Sequence, residues 1–225
     1  MKKNTALCIL IFITGSIFAQ NPQNPRYGLY IGGSGGLGPI MGIDDTVLGG
    51  NLNPIKLDWQ MARFLSLGTG MGFYFGPQAR HVAPKQTDPG SGINETYAGM
   101  ETHMVFPLVL EAVSRPGIFS FELGGGLYAA PVLMNTTVER TSDNGYTVAE
   151  SYGKNLFSAG HKNPFGFIAS GSIGIKAGRG IIFTDVSYLR DFSELTVKFK
   201  EEEIGHHRWN ILAFDIGFKF GIFPK

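Results

Sequence analysis

The chain has 225 residues, with 19 basic and 18 acidic side chains and a single cysteine, Cys8. This near balance of charge excludes the basic surface that nucleic-acid binding requires, and one cysteine excludes a disulfide framework. The length suits one all-β domain.

Residues 1–20 have the form of a secretory signal peptide. Lys2 and Lys3 make a basic start, residues 6–18 are apolar, and a small-residue cleavage sequence follows. The apolar run is shorter than the about 20 residues of a transmembrane helix. The sequence therefore predicts a signal peptide at 1–20 and a mature domain at 21–225. Without Lys2 and Lys3 the mature domain has 17 basic and 18 acidic side chains, a net charge of −1.

Three segments of alternating polarity open the mature chain. Large apolar residues alternate with Lys56, Asp58 or glycine, and this period of two predicts strands because successive side chains point to opposite faces. Glycine, proline and polar residues predict loops at 38–53 and 76–95. The predicted strands are Tyr27–Leu37, Ile55–Ala62 and Leu65–Phe75.

Residues 100–133 read as two long strands joined at Pro116-Gly117, a pair typical of a type II turn. Large apolar side chains share one face of both strands. The opposite face carries glycine or charge, including Glu101 beside His103, which we interpret as a hydrogen-bond network rather than acid–base chemistry. Pro107 lacks an N–H group, so we expect a bulge or a missing ladder bond there.

Three further strands complete the chain, separated by polar loops at 134–163 and 193–207. They are predicted at Phe165–Lys176, Ile181–Arg190 and Arg208–Phe223. Eight strands with alternating short and long connections are typical of an outer-membrane barrel. The sequence therefore predicts an all-β, eight-stranded antiparallel up-and-down transmembrane β-barrel in the outer membrane of a Gram-negative-type (diderm) bacterium. Both termini and the short turns would face the periplasm, and four long loops would face outward.

A barrel of eight strands has an interior just wide enough for side chains to fill. Inward glycines would leave room for longer charged groups, which should pair because an isolated buried charge is costly. We therefore expect a filled lumen rather than a wide pore, with no catalytic, cofactor or metal site. The predicted polar network of the lumen consists of Lys56, Asp58, Glu101, Glu111, Glu122, Lys176, Asp185, Asp215 and Lys219.

Two stretches resemble the PorT-like outer-membrane β-barrel family. Val105–Glu111 is similar to its apolar-Pro-Leu strand, and Phe121–Tyr128 to its Leu-Gly-x-Gly strand. The resemblance covers most of residues 27–223 and implies an eight-stranded outer-membrane barrel with little assigned chemistry. Outer-membrane barrels commonly end on an aromatic residue that the assembly machinery reads. Here Pro224 and Lys225 follow Phe223.

The predicted role is structural or interactive, with outer-membrane lipids and the assembly machinery as partners and the loops contacting an extracellular ligand. One alternative is a narrow OmpW-like channel for small solutes. Another is a lipid A-modifying enzyme, for which no spacing specifies a triad. A soluble lipocalin-like barrel would instead turn its phenylalanines inward. The candidate polar residues on predicted loops, which we interpret as solvated rather than catalytic or metal-binding, are Ser158, His161, Ser193, Glu201, Glu202, Glu203, His206 and His207.

Overall fold

The computed structural model describes residues 28–41, 46–77, 81–84, 94–142, 147–150, 165–199 and 202–222. Among these residues, no helix is long and apolar enough to cross a bilayer. The predicted signal peptide at 1–20 lies outside the described residues and stays a prediction. The described strands, in chain order, are β1 Leu29–Met41, β2 Thr46–Ala62, β3 Leu65–Pro77, β4 His81–Pro84, β5 Asn94–Ser114, β6 Phe119–Ala129, β7 Val132–Ser142, β8 Thr147–Glu150, β9 Phe165–Ala177, β10 Gly180–Asp191, β11 Leu195–Phe199, β12 Glu202–His207 and β13 Asn210–Gly221.

Eight of these strands form a closed antiparallel barrel. Around the ring the order is β1, β2, β3, β5, β6, β9, β10 and β13, and β13 pairs back onto β1. The pairing of β3 with β5 completes the ring across the predicted loop between them. The predicted eight-stranded antiparallel barrel is therefore confirmed. Each barrel strand pairs with its neighbours in an up-and-down arrangement.

The predicted long loops are partly wrong, because much of their sequence is strand. Within 38–53, β1 extends to Met41 and β2 begins at Thr46. The predicted loops at 76–95, 134–163 and 193–207 contain β4, β7, β8, β11 and β12. Of these segments, β7, β8 and β11 contain threonine and valine, which favour strands. β4, β7, β8 and β12 lack a sustained apolar alternation, and β11 alternates over five residues only, so the period-two pattern does not reveal a long strand in any of them.

The short connections lie together at one end of the barrel, called the turn end below; the opposite end is the loop end. The turn between β5 and β6 is closed by a 3.0 Å hydrogen bond from the Phe119 N–H to the Pro116 carbonyl. The four-residue turn is therefore Pro116–Phe119, and Gly117 is the first of its two central residues. The φ of 55° at Gly117 belongs to a primed hairpin turn. The predicted type II turn is wrong at this position. Gly178 has a φ of 62° in the equivalent turn between β9 and β10.

The two faces of the barrel wall carry different side chains, as the alternation predicts. Charged and polar groups such as Asp58, Glu122 and Lys219 point inward and are buried. Large apolar side chains point outward and stay exposed on the barrel strands. They include Ile31, Leu37, Leu52, Ile55, Trp59, Phe106, Leu108, Leu110, Leu123, Leu127, Ile173, Ile175, Ile182, Val186, Phe214, Ile216, Phe218 and Phe220.

Pro107 interrupts the ladder between β3 and β5. Paired positions run from Leu65 with Ala112 to Thr69 with Leu108, and resume only at Gly72 with Val105. The predicted missing ladder bond at Pro107 is confirmed. The outward-facing Thr69 hydroxyl donates a 2.8 Å hydrogen bond to the Pro107 carbonyl. Because N–H and C=O of a residue in an antiparallel strand face the same neighbour, this contact shows that the proline nitrogen faces β3.

Replacing Thr69 with valine is expected to lower the free energy of unfolding by about 1 kcal/mol, since valine keeps the shape but leaves the Pro107 carbonyl without its donor. Urea titration of the folded barrel, followed by gel mobility without heating, measures the change. Thr184→Val on β10 is the matched control, because Thr184 is also outward and exposed. Equal stability of the two variants would contradict a bridging role for Thr69.

Candidate functional site

The interior of the barrel is the candidate site, and side chains fill it in layers. A cationic cluster lies at the turn end, a network of ion pairs occupies the middle, and an apolar and aromatic cluster closes the loop end. The layers arise because each inward position along a strand is fixed by its register to its neighbours.

Arg115 leaves the β5–β6 turn and folds back into the lumen. Its guanidinium donates to the Tyr30 hydroxyl at 3.1 Å and to the Gln60 side-chain oxygen, and it lies over the Tyr30 ring at 4.5 Å. It also contacts Glu122 Oε1 at 3.3 Å. Beside it, Lys176 Nζ donates to the carbonyls of Arg115 and Gly117, both at 2.8 Å. These contacts close the turn end of the lumen.

Lys219 is the central cation of the network. Its side chain is only 2% exposed, and Nζ lies 2.6 Å from Glu122 Oε1 and 2.7 Å from Asp58 Oδ2. Glu122 also accepts hydrogen bonds from Ser120 and Ser172, at 3.5 and 3.2 Å. Three strands, β2, β6 and β13, therefore meet at one buried ammonium group. A buried charge is tolerated only with this kind of compensation.

A second ion pair and an amide cluster lie on the other side of the lumen. Lys56 Nζ is 3.5 Å from Asp185 Oδ2. Among the described residues, the side chains that donate hydrogen bonds to Asp215 are uncharged. Asn51 donates to its Oδ1 at 2.7 Å, and Asn53 and Ser34 donate to its Oδ2 at 2.9 and 3.2 Å. Three neutral donors from β1 and β2 therefore hold this carboxylate of β13.

Glu111 packs where two glycines leave space. A Cβ atom at Gly124 would lie 2.9 Å from Glu111 Cγ, and one at Gly68 would lie 3.2 Å from Glu111 Oε1. The same Gly68 position is 3.3 Å from Asp58 Oδ1. A cavity of about 50 Å³ adjoins these carboxylates and is also lined by Lys56 and Asp185. The inward glycines thus create room for acidic side chains, as the sequence predicts.

The loop end of the lumen is closed by apolar and aromatic side chains. Trp209 stacks on His103, with ring centroids 3.8 Å apart, and Tyr74 meets the same indole edge-on at 5.8 Å. The Tyr128 hydroxyl donates a 2.5 Å hydrogen bond to Asp191. The buried apolar cluster comprises Ile40, Tyr74, Val105, Val109, Tyr128, Ala130, Ile168, Leu189, Trp209, Ile211 and Ala213.

The structure places most of the predicted lumen residues inside the barrel. Asp58, Glu111, Glu122, Asp185, Asp215 and Lys219 are buried, Lys56 is partly exposed, and Lys176 lies at the turn end. Glu101 lies in β5, paired with Gly76 and Asn135, and its side chain lies outside the described part of the chain. The aromatic layer and Arg115 are not among the predicted residues.

Among the loop residues named for enzyme or metal chemistry, only Ser193 has a side chain in the described part of the chain. Ser158 and His161 lie outside it, while His206 and His207 pair with Thr196 and Leu195 in the β11–β12 hairpin. Their side chains, and that of Glu201, are not described. The absence of catalytic and cofactor chemistry therefore stays a prediction.

No protein-family model matches the chain, and no curated protein matches it either. Among solved structures, Neisserial surface protein A is similar at 8% identity with a TM-score of 0.44, over 87% of this chain and 97% of that chain. The outer membrane protein OprG from Pseudomonas aeruginosa is similar at 9% identity with a TM-score of 0.44, over 90% of this chain and 99% of that chain. The outer membrane protease OmpT from Escherichia coli is similar at 10% identity with a TM-score of 0.45, over 91% of this chain and 100% of that chain.

These likenesses are too distant to transfer a ligand, an activity or a residue role to this chain, at 8 to 10% identity and TM-scores of 0.44 and 0.45. The PorT-like resemblance is not matched by any family model and stays a prediction.

Proposed function

We propose that this protein is an integral outer-membrane β-barrel with a closed lumen, whose loop end is a contact surface outside the cell. The observation that carries the proposal is the inversion of the two faces of the barrel. Charged side chains fill the inside, whereas large apolar side chains cover the outside. A soluble lipocalin-like barrel has the opposite arrangement, because water rather than lipid surrounds its outer face.

The height of the apolar face fits a bilayer. On β13 and just beyond it, outward apolar residues run from Phe214 to Ile222, all exposed. Eight steps of about 3.4 Å give about 27 Å along the strand, or about 21 Å in height at a tilt of about 40°. This approaches the about 25 Å apolar band of known transmembrane barrels. A closed ring also leaves no sheet edge unpaired in lipid.

The loop end continues as β-structure beyond the barrel. β5 is 21 residues long, about twice the 9–11 residues that a tilted strand needs to cross a membrane. Its first half pairs with β4 on one side and β7 on the other, and β8 pairs with β7. The β11–β12 hairpin lies beside β4. This raised sheet supports a role in surface contact, because it presents an ordered backbone above the membrane.

The filled lumen weighs against the narrow-channel alternative. At the turn end, Arg115 joins Tyr30, Gln60 and Glu122 across the barrel. At the loop end, Trp209 stacks on His103 with 3.8 Å between ring centroids. A conducting pore needs a continuous water path, and both ends of this interior are occupied by packed side chains.

Cysteine labelling tests both the membrane location and the direction of the barrel. The only cysteine, Cys8, falls in the predicted signal peptide, so single cysteines can be added to a cysteine-free mature chain. Thr141→Cys lies in the raised sheet, where position 141 pairs with Thr96 and Thr147. We expect a membrane-impermeant maleimide to label this variant on intact diderm cells.

Ile118→Cys in the β5–β6 turn is the matched variant at the turn end, where Ile118 is 60% exposed. We expect it to be labelled only after the outer membrane is permeabilised. Labelling of Ile118→Cys on intact cells, with Thr141→Cys protected, would reverse the orientation and remove the surface-contact proposal. Recovery of both variants in the soluble periplasmic fraction would overturn the membrane location as well.

A further inference from the structure

The middle of the lumen carries more negative than positive charge. The described residues place five carboxylates there, against the cations Lys56 and Lys219 and the guanidinium of Arg115, which reaches Glu122 from the turn end. Two negative charges remain if every group is ionised. Lys176 near the turn end and Asp191 near the loop end cancel each other and do not change this balance. The five carboxylates are those of Asp58, Glu111, Glu122, Asp185 and Asp215.

Among these five carboxylates, one oxygen of Glu111 and one of Asp58 lack a partner in the described part of the chain, while Asp58 Oδ2 pairs with Lys219. Glu122 and Asp215 have hydrogen bonds to both carboxylate oxygens, and Asp185 faces Lys56. By contrast, Glu111 Oε2 and Asp58 Oδ1 are buried without a hydrogen-bond partner among the described residues. Glu111 is 6% and Asp58 1% exposed. Buried carboxylate oxygens normally have a partner, so these two oxygens point to one that is not a protein atom.

The spacing of the two carboxylates fits a bound cation. Oxygen atoms of Asp58, Glu111 and Glu122 lie within 4.8 Å of one another. One calcium ion bound to two oxygens at about 2.4 Å would hold them up to about 4.8 Å apart. The adjoining cavity of about 50 Å³ has room for several water molecules, which can supply the remaining ligands that calcium requires.

We propose that the lumen cavity between Asp58 and Glu111 binds one calcium-sized divalent cation, with Glu122 remaining paired to Lys219. The ion neutralises the two excess charges and supplies the partner that Glu111 Oε2 and Asp58 Oδ1 lack. It links β2 to β5 across Gly68 of β3, so it joins two strands that are separated in the ring by one strand. This site is independent of what the loop end contacts.

The test uses the full mature barrel. Because both ends of the lumen are closed, the ion has to be present while the barrel folds. The protein is therefore folded from denaturant in either CaCl₂ or EDTA. We expect the wild-type barrel to retain one Ca²⁺ per chain after dialysis and to unfold at a higher temperature than the EDTA-folded barrel. Glu111→Gln keeps the shape and removes one carboxylate charge. It is expected to bind Ca²⁺ about tenfold more weakly or worse, with little calcium-dependent shift in unfolding temperature.

Glu194→Gln is the control, because it makes the same chemical change at an exposed residue near the loop end. It is expected to bind Ca²⁺ as the wild type does and to show the same calcium-dependent rise in unfolding temperature. Folding of each variant is checked by its mobility on unheated SDS gels. In EDTA, Glu111→Gln should be at least as stable as the wild type, because it lacks the uncompensated charge. The absence of saturable Ca²⁺ binding by the wild type, or equal binding by Glu111→Gln, would overturn the proposal.

Discussion

Replacing Lys219 with methionine is expected to lower the free energy of unfolding of the barrel by about 3–5 kcal/mol. Methionine fills nearly the same volume, so the change removes the charge rather than the packing. Glu122 Oε1, 2.6 Å from the ammonium, and Asp58 Oδ2, 2.7 Å away, would both lose their central partner. Urea titration in detergent with EDTA, followed by unheated gel mobility, measures the loss.

Lys56→Met provides the graded control for this prediction. Lys56 is 25% exposed and meets its carboxylate at 3.5 Å, so its removal should cost clearly less than that of Lys219. The double variant Lys219→Met with Asp58→Asn should recover part of the loss, because a complete buried pair is cheaper to remove than one partner. Equal losses in the free energy of unfolding for Lys56→Met and Lys219→Met would show that the network is not centred on Lys219.

The prediction also separates two explanations for the charged lumen. If the charges serve mainly to exclude alternative strand registers, Lys219→Met should produce a mixture of folded forms as well as lower stability. If they only fill space, a single folded form with lower stability is expected. Two-dimensional amide spectra of the variant in micelles distinguish the outcomes, since each register gives its own set of resonances.

The barrel strands could be predicted because lipid outside and charge inside impose a strict period of two. Lys56 and Asp58 alternate with Leu57 and Trp59 in sequence, and the structure places the first pair inside and the second outside. Pro107 was predictable for a different reason. A residue without an N–H group cannot complete a ladder, whatever surrounds it.

The aromatic layer could not be found by the same pattern, because both faces are apolar near the loop end. In Trp209–Phe214, inward Trp209, Ile211 and Ala213 alternate with residues of the outer face, and only Asn210 is polar. Such continuous runs indicate burial on both sides. Arg115 was missed because its position in a turn says nothing about the direction of its side chain. The pairing of particular carboxylates with particular cations depends on register across strands that are distant in sequence.

Replacing Ile216 with arginine is expected to destabilise the barrel by about 2–4 kcal/mol in a lipid bilayer. Ile216 points outward, one outward position from Phe218 at the centre of the apolar face, and is 68% exposed. In lipid, its arginine would lose its water of hydration at the most apolar depth. In a soluble barrel, the same change at so exposed a position should cost less than about 0.5 kcal/mol. The size of the effect thus reports what surrounds the protein.

Ile118→Arg is the matched control, since it makes the same replacement at a similarly exposed isoleucine in a turn, 60% exposed. At the membrane boundary the expected cost is about 0–1 kcal/mol. Urea titrations of both variants in vesicles measure the difference directly. A large cost for Ile216→Arg with a small cost for Ile118→Arg is the pattern that a lipid-facing belt requires. Small costs at both positions would mean that water contacts Ile216, and the apolar outer face would then need a protein partner to cover it.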